Sequence, residues 1–129
     1  MGATNFTHYT DNQIQIANAF KALGHPARIA IIELLTQYDQ LNIKDLNSFI
    51  PLAQGNISRH CKELFNAGIL GITNYNNNSF YSINIKMIDK LVNYLEHIYE
   101  KRGDQSPPPY FHILKNIVLN PKIRLYNLT

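Results

Sequence analysis

The chain is poor in the features that mark secreted, membrane-bound or catalytic proteins. It has one cysteine, Cys61. A single thiol cannot close an internal disulfide, and with no Cys cluster a zinc site is not expected. No run of about 18 apolar residues is present, so no membrane span is expected. Residues 1–13, MGATNFTHYTDNQ, are polar and lack the apolar centre of a secretory signal. There is no glycine-rich phosphate loop and no nucleophile elbow, and the carboxylates are few and scattered over helix faces. An enzyme is not expected, nor a cofactor, and the whole fits a cytoplasmic protein. Charge is scarce too. The net value is +3, and the excess lies at the end, where Lys101, Arg102, Lys115, Lys122 and Arg124 face only Asp104.

What is present is enough for one domain. A length of 129 residues at 45% apolar composition can build a core. Three segments are expected. Residues 1–10 form a flexible arm, 11–102 a folded domain, and 103–129 a linker through the Pro-rich GDQSPPP followed by a basic, apolar extension. That extension could dock on the domain, dock on a partner, or add phosphate contacts through Lys122 and Arg124.

Hydrophobic spacing outlines the domain. A first helix, capped by Asp11 or Asn12, carries Ile16, Ala19, Phe20 and Leu23 on one face and stops at Gly24. Pro26 opens a second helix, apolar over most of its circumference and expected to be central and buried. Its Arg28 is either a phosphate contact or a structural ion-pair partner. Tyr38 to Leu41 reads as a loop, and Asn42 caps a short helix with Ile43, Leu46 and Phe49 or Ile50 inward. After the reading helix below, Ile69–Asn74 and Ser79–Ile85 read as two strands around an Asn-rich tip, Asn76, Asn77 and Asn78. That tip holds no Arg or Lys. It either touches DNA or is a solvated turn. A last helix from Lys86 to Lys101 carries Ile88, Leu91, Val92, Leu95, Ile98 and Tyr99, a stripe wide enough to bury against a second chain.

The stretch IPLAQGNISRHCKELFNAG, residues 50–68, carries the functional signal. Pro51 forces the helix to start after it, and Gly68 supplies a left-handed stop. Ile57, Cys61, Leu64 and Phe65 form the buried face. Gln54, Gly55, Asn56, Ser58, Arg59 and Lys62 are offered on the other side. Amides and a guanidinium can read base edges in a major groove. Cys61 on the apolar side reads as a small core residue, not as a redox sensor. His60 beside it has a packing or phosphate role.

In their order and spacing, ALGHPARIAIIELL, IKDL, AQGNISRHCKELFNAGIL and NSFYSI resemble the ArsR family of winged helix-turn-helix repressors. The first motif is met by Leu23, Pro26, Arg28, Ile31 and Ile32. The second is met by Ser58, His60, Leu64, Ala67 and Gly68, with Cys61 in place of a core Leu. The resemblance covers residues 14–100. It implies a mainly α fold with a small β-hairpin, ordered α-α-α-α-β-β-α, with a C-terminal extension beyond it. It implies a homodimer on a pseudo-palindromic double-stranded DNA operator. Groove contacts fall on Gln54, Gly55, Asn56, Ser58 and Arg59. The first and last helices lie at the dimer interface, through Ile16, Phe20, Leu91, Leu95 and Ile98. Ala53 stands where the family has a capping Ser or Thr, a loss of about 1 kcal/mol. The family's metal boxes are not met. LNIKDL has no Cys, and His97 with Glu100 supplies only half of a later site, so no metal is expected. The alternative function is a winged-helix module that binds protein and has no DNA site of its own.

Overall fold

A computed structural model of the chain describes residues 8–52 and 54–101. The elements follow as α1 (Asp11–Leu23), α2 (Pro26–Gln37), α3 (Ile43–Phe49), α4 (Gln54–Asn66), β1 (Leu70–Tyr75), β2 (Asn78–Ile83) and α5 (Ile85–Lys101). This is the expected α-α-α-α-β-β-α order of a winged helix-turn-helix. The expectations for residues 1–7, for Ala53 as a cap and for residues 102–129 lie outside the described residues. The chain divides into two units, one ending at Asn84 and one beginning at Ile85.

Local chemistry sets the helix ends. Thr10, not Asp11 or Asn12, caps α1. Its hydroxyl accepts from the Gln13 N–H at 3.0 Å, and the Gln13 side chain accepts from the Thr10 N–H at 2.9 Å. This reciprocal box satisfies two N–H groups that the helix itself cannot. Gly24 ends α1 with φ −80°, so no left-handed residue is used there. The next residue then keeps the chain from resuming the helix at once. Pro26 confines His25 to an extended backbone, φ −144° and ψ 132°. The His25 imidazole then caps α2 by accepting from the Ala27 N–H through Nδ1 at 3.0 Å. Asn42 caps α3 as expected, in a second reciprocal box with Asp45.

The core of the first unit gathers on α4. Ile57, Cys61 and Leu64 are fully buried there, against Ile31 and Leu35 of α2, Leu46 and Ile50 of the α3 end, and Ile16, Ala19 and Ala22 of α1. Three expectations shift. Phe65 is 42% exposed, and His60 at 5% takes its place on the inner face. Phe49 points outward beside Tyr38, ring centroids 5.4 Å apart, and Ile50 goes in. The second helix is not buried all round, since Ile29 is exposed.

Gly68, at φ 82°, closes α4. Its N–H donates to the Phe65 carbonyl and that of Ile69 to the Leu64 carbonyl, both at 2.9 Å. This paired pattern satisfies two carbonyls that the helix end leaves open. The hairpin follows in strict antiparallel register from Leu70↔Ile83 to Tyr75↔Asn78. Asn76 and Asn77, at φ 48° and 63°, form a two-residue turn whose twist suits the strands. The expected loop at Leu41 proves to be a bridge. Leu41 and Tyr81 exchange both backbone hydrogen bonds, at 3.1 and 2.8 Å. Asn84 fastens the hairpin base to the end of α4, its amide donating to the Gly68 carbonyl at 2.9 Å.

In the second unit, α5 starts at Ile85. Met87 and Leu91 are its buried residues, while Leu95, Ile98 and Tyr99 are exposed.

Candidate nucleic-acid interface

The start of α4 is a polar, open surface on an anchored helix. Its inner row, Ile57, His60, Cys61 and Leu64, is buried. Its outer rows present Gly55, Asn56, Ser58, Arg59 and Lys62 to solvent. Gln54 heads the helix; its side chain lies outside the described residues. The first turn has no acidic residue, so nothing there offsets the positive helix terminus or repels a phosphate. Arg59 and Asn56 lie one turn apart, and the guanidinium reaches the Asn56 Oδ1 at 3.5 Å, the outer limit of a hydrogen bond. Both groups are therefore held loosely and remain able to exchange that contact for a base edge. A Cβ placed at Gly55 would meet nothing within 4 Å.

A partly buried polar cluster stands behind this surface, and sequence reasoning found only part of it. The Arg28 Nε donates to the His60 Nδ1 at 3.0 Å, and the Arg28 Nη1 donates to the Ala22 carbonyl at 3.2 Å. The His25 ring lies 4.5 Å from that of His60, tilted by 48°. Arg28 has a structural role, as hydrogen-bond donor to an imidazole and a carbonyl instead of the expected ion-pair partner: it ties the α1 end and α2 to the middle of α4. Burial holds the His60 imidazole below its ordinary pKa, and the charges of His25, Arg28 and Arg59 push the same way. A neutral ring with its proton on Nε2 leaves Nδ1 free to accept. The signal available in sequence was spacing: His60 lies three residues after Ile57 and one before Cys61, at the edge of the inner face.

Cys61 is fully buried, and burial pushes its thiol up to about 12. It is a core residue without thiolate character. Burial and the neighbouring Cys61 also raise the Tyr81 hydroxyl. At the hairpin tip Asn76 and Asn77 make the turn, while Asn78 already pairs with Tyr75 and donates to the Asn76 carbonyl at 3.3 Å. Of the residues expected at a dimer interface, Ile16 and Leu91 are each 5% exposed within one chain; Phe20, Leu95 and Ile98 are exposed at 38, 47 and 44%. Among the described residues no three His, Cys, Asp or Glu side chains gather to hold a metal, and no helix is long and apolar enough to cross a membrane.

No protein-family model matches the chain. Over 67 residues it is 39% identical to uncharacterised HTH-type transcriptional regulators from two strains of Mycobacterium tuberculosis. The match takes in 52% of this chain and 59% of each relative, so the chain spans less than two thirds of their length. The crystal structure of one of them, Rv0081, is 27% identical, with a TM-score of 0.53 over 74% of this chain and 100% of that one. An ArsR-like transcriptional regulator from Rhodococcus sp. RHA1 superposes with a TM-score of 0.68 at 19% identity, over 73% of this chain and 88% of that one. A homodimeric winged helix-turn-helix DNA-binding domain from Mycobacterium bovis, a possible ArsR-family regulator, gives 0.59 at 16% identity, over 84% and 98%. The chain has the winged helix-turn-helix fold of the ArsR-type structures, and the proteins it resembles are transcriptional regulators, not enzymes.

Proposed function

We propose that a chain with the fold of ArsR-type transcriptional regulators works as one: a homodimeric, sequence-specific repressor acting in the cytoplasm. Residues 11–102 make up its DNA-binding and dimerisation region. The start of α4 enters the major groove. Gln54, Asn56, Ser58 and Arg59 read base edges, Gly55 allows close approach, and Lys62 meets a phosphate. The exposed polar rows of α4 over a buried Ile57–Cys61–Leu64 face carry this reading. A second copy covers the apolar side of α5 through Leu95 and Ile98, with Phe20 of α1 as a further contact. Two reading helices then lie about 34 Å apart, one DNA turn, on a pseudo-palindromic operator. The Asn76–Asn78 tip lies near the DNA backbone and contributes little charge.

The test is fluorescence anisotropy against the DNA upstream of the gene and against a scrambled duplex. Arg59→Ala is expected to weaken specific binding by about 1–3 kcal/mol, the worth of a bidentate guanine contact. Unchanged affinity in that variant sinks the placement of the reading helix. Equal or absent binding to both duplexes favours a protein-binding module instead.

A further inference from the structure

A cleft of about 450 Å³ opens between the C-terminal halves of α1 and α4 and the turn joining α1 to α2. That is the size of a small-metabolite site. Three elements bring charge to it: Lys21 from α1, Arg28 from the first turn of α2, and Glu63 from α4. The amides of Asn18 and Asn66 line it as well, each one helical turn from a charged residue, Lys21 and Glu63 respectively. Although Lys21 and Glu63 both face the cleft, they form no ion pair with each other or with any other described residue. Arg28 uses one N–H on His60 and one on the Ala22 carbonyl. A guanidinium has five, so three remain.

Two cations and one carboxylate, carried on different elements around a volume of this size, complement a small zwitterion. Its carboxylate would lie on Lys21 and the free side of the Arg28 fork, as charge-assisted hydrogen bonds favour. Its ammonium would lie on Glu63. We propose that this cleft is an effector site for a free α-amino acid, read by α4 through Arg28 and His60. The regulatory half of this proposal rests on the DNA-binding reading; the binding half does not. Glu63 and Asn66 lie about 10–15 Å along the helix axis from Asn56, so the cleft stays open when the start of α4 is engaged. A ligand on Arg28 acts on the guanidinium that holds His60, and so on the helix itself.

The experiment is titration calorimetry of the full chain against the twenty common L-amino acids. Each amino acid that binds is compared with its deaminated acid and its decarboxylated amine. The expected result is saturable one-to-one binding of at least one amino acid, with both analogues at least about tenfold weaker. Lys21→Ala and Glu63→Gln are each expected to lose at least about tenfold in affinity. The bound amino acid is expected to change operator affinity in anisotropy by about fivefold or more. The proposal is overturned if no amino acid binds, if either analogue binds equally well, or if both variants bind as the parent does. Binding without any change in operator affinity overturns the effector role. If the chain binds no DNA in either state, the DNA-binding reading fails, and calorimetry still decides the site.

Discussion

Replacing Arg28 by Met keeps the side-chain stem and removes the two hydrogen bonds that tie α1 and α2 to α4. The bond from Nε to the His60 Nδ1 is charge-assisted and sits against a ring that is 5% exposed. Its loss leaves a buried acceptor without a donor, at a cost of about 1–3 kcal/mol. The bond from Nη1 to the Ala22 carbonyl is replaceable by water and adds about 0.5 kcal/mol. A total of about 1.5–3.5 kcal/mol is a large share of the usual 5–15 kcal/mol. It lowers the melting temperature by on the order of 10 °C in a chain of this size. The loss also depends on pH. The folded His60 has a pKa below its unfolded value near 6.5, so as pH falls the unfolded chain takes the proton first. The stability tied to neutral His60 is therefore full above about pH 6.5 and is lost on acidification. In Arg28→Met the ring no longer faces a guanidinium and no longer gives up Nδ1, so its protonation is less costly. Urea melts at pH 8 and pH 5.5 should show the gap between parent and variant narrowing at the lower pH. A gap below about 0.5 kcal/mol at pH 8, or one that does not change with pH, refutes the link between Arg28 and His60.

Gly55→Ala is expected to stabilise the fold by about 0.5–1 kcal/mol, because the added methyl meets open space in a helix. It should nonetheless weaken operator binding severalfold. Urea melts and anisotropy separate the two effects, and a variant that binds as the parent does removes Gly55 from the contact surface. Leu95→Asp places a charge on the exposed apolar side of α5 and should yield a monomer in light scattering. A dimer that survives it places the interface elsewhere. The salt dependence of operator binding should be shallow. With Arg59 on a base edge, Lys62 from two protomers neutralises about two phosphates, for a log–log slope of about −2. A slope near −10 would mean that cations of residues 101–129 reach the DNA.

The parts of the fold legible in the sequence were those governed by local chemistry. Pro51 and Gly68 act on their own backbone, and α4 begins and ends where they dictate. Asn42 bonds three residues ahead and caps α3. Two asparagines at positive φ make the wing turn. The misreadings came where neighbours decide. Gly24 looked like a left-handed stop; it does end α1, but at φ −80°, and Pro26 holds the following His25 extended. Thr10 displaced Asp11 and Asn12 as the cap by closing a box with Gln13, although Asn12 has Gln15 at the same spacing. Phe65 and His60 lie at opposite edges of the same helical face. Periodicity alone favours the more apolar residue; the waiting Arg28 donor and the His25 ring bring His60 inside. The bridge between Leu41 and Tyr81 joins residues forty apart and leaves no local signature.

The candidate site was legible for the same reason. Gly55, Asn56, Ser58, Arg59 and Lys62 stand opposite Ile57, Cys61 and Leu64 by helical spacing alone, and the structure leaves them exposed. The sequence did not reveal what holds that surface in place. From its midpoint onward α4 is fastened by four separate devices: the packing of Cys61 and Leu64, the Arg28–His60 bond, the paired bonds through Gly68, and the Asn84 amide on the Gly68 carbonyl. Before that midpoint only Ile57 is buried among the described residues of the helix. A helix fixed at one end and open at the other presents its polar groups in a set geometry and leaves their rotamers free, as with the long Arg59–Asn56 contact. On the proposed DNA-binding reading, with so few cations nearby, recognition depends on the placement of hydrogen-bonding groups more than on attraction to phosphates, and this anchoring supplies that placement.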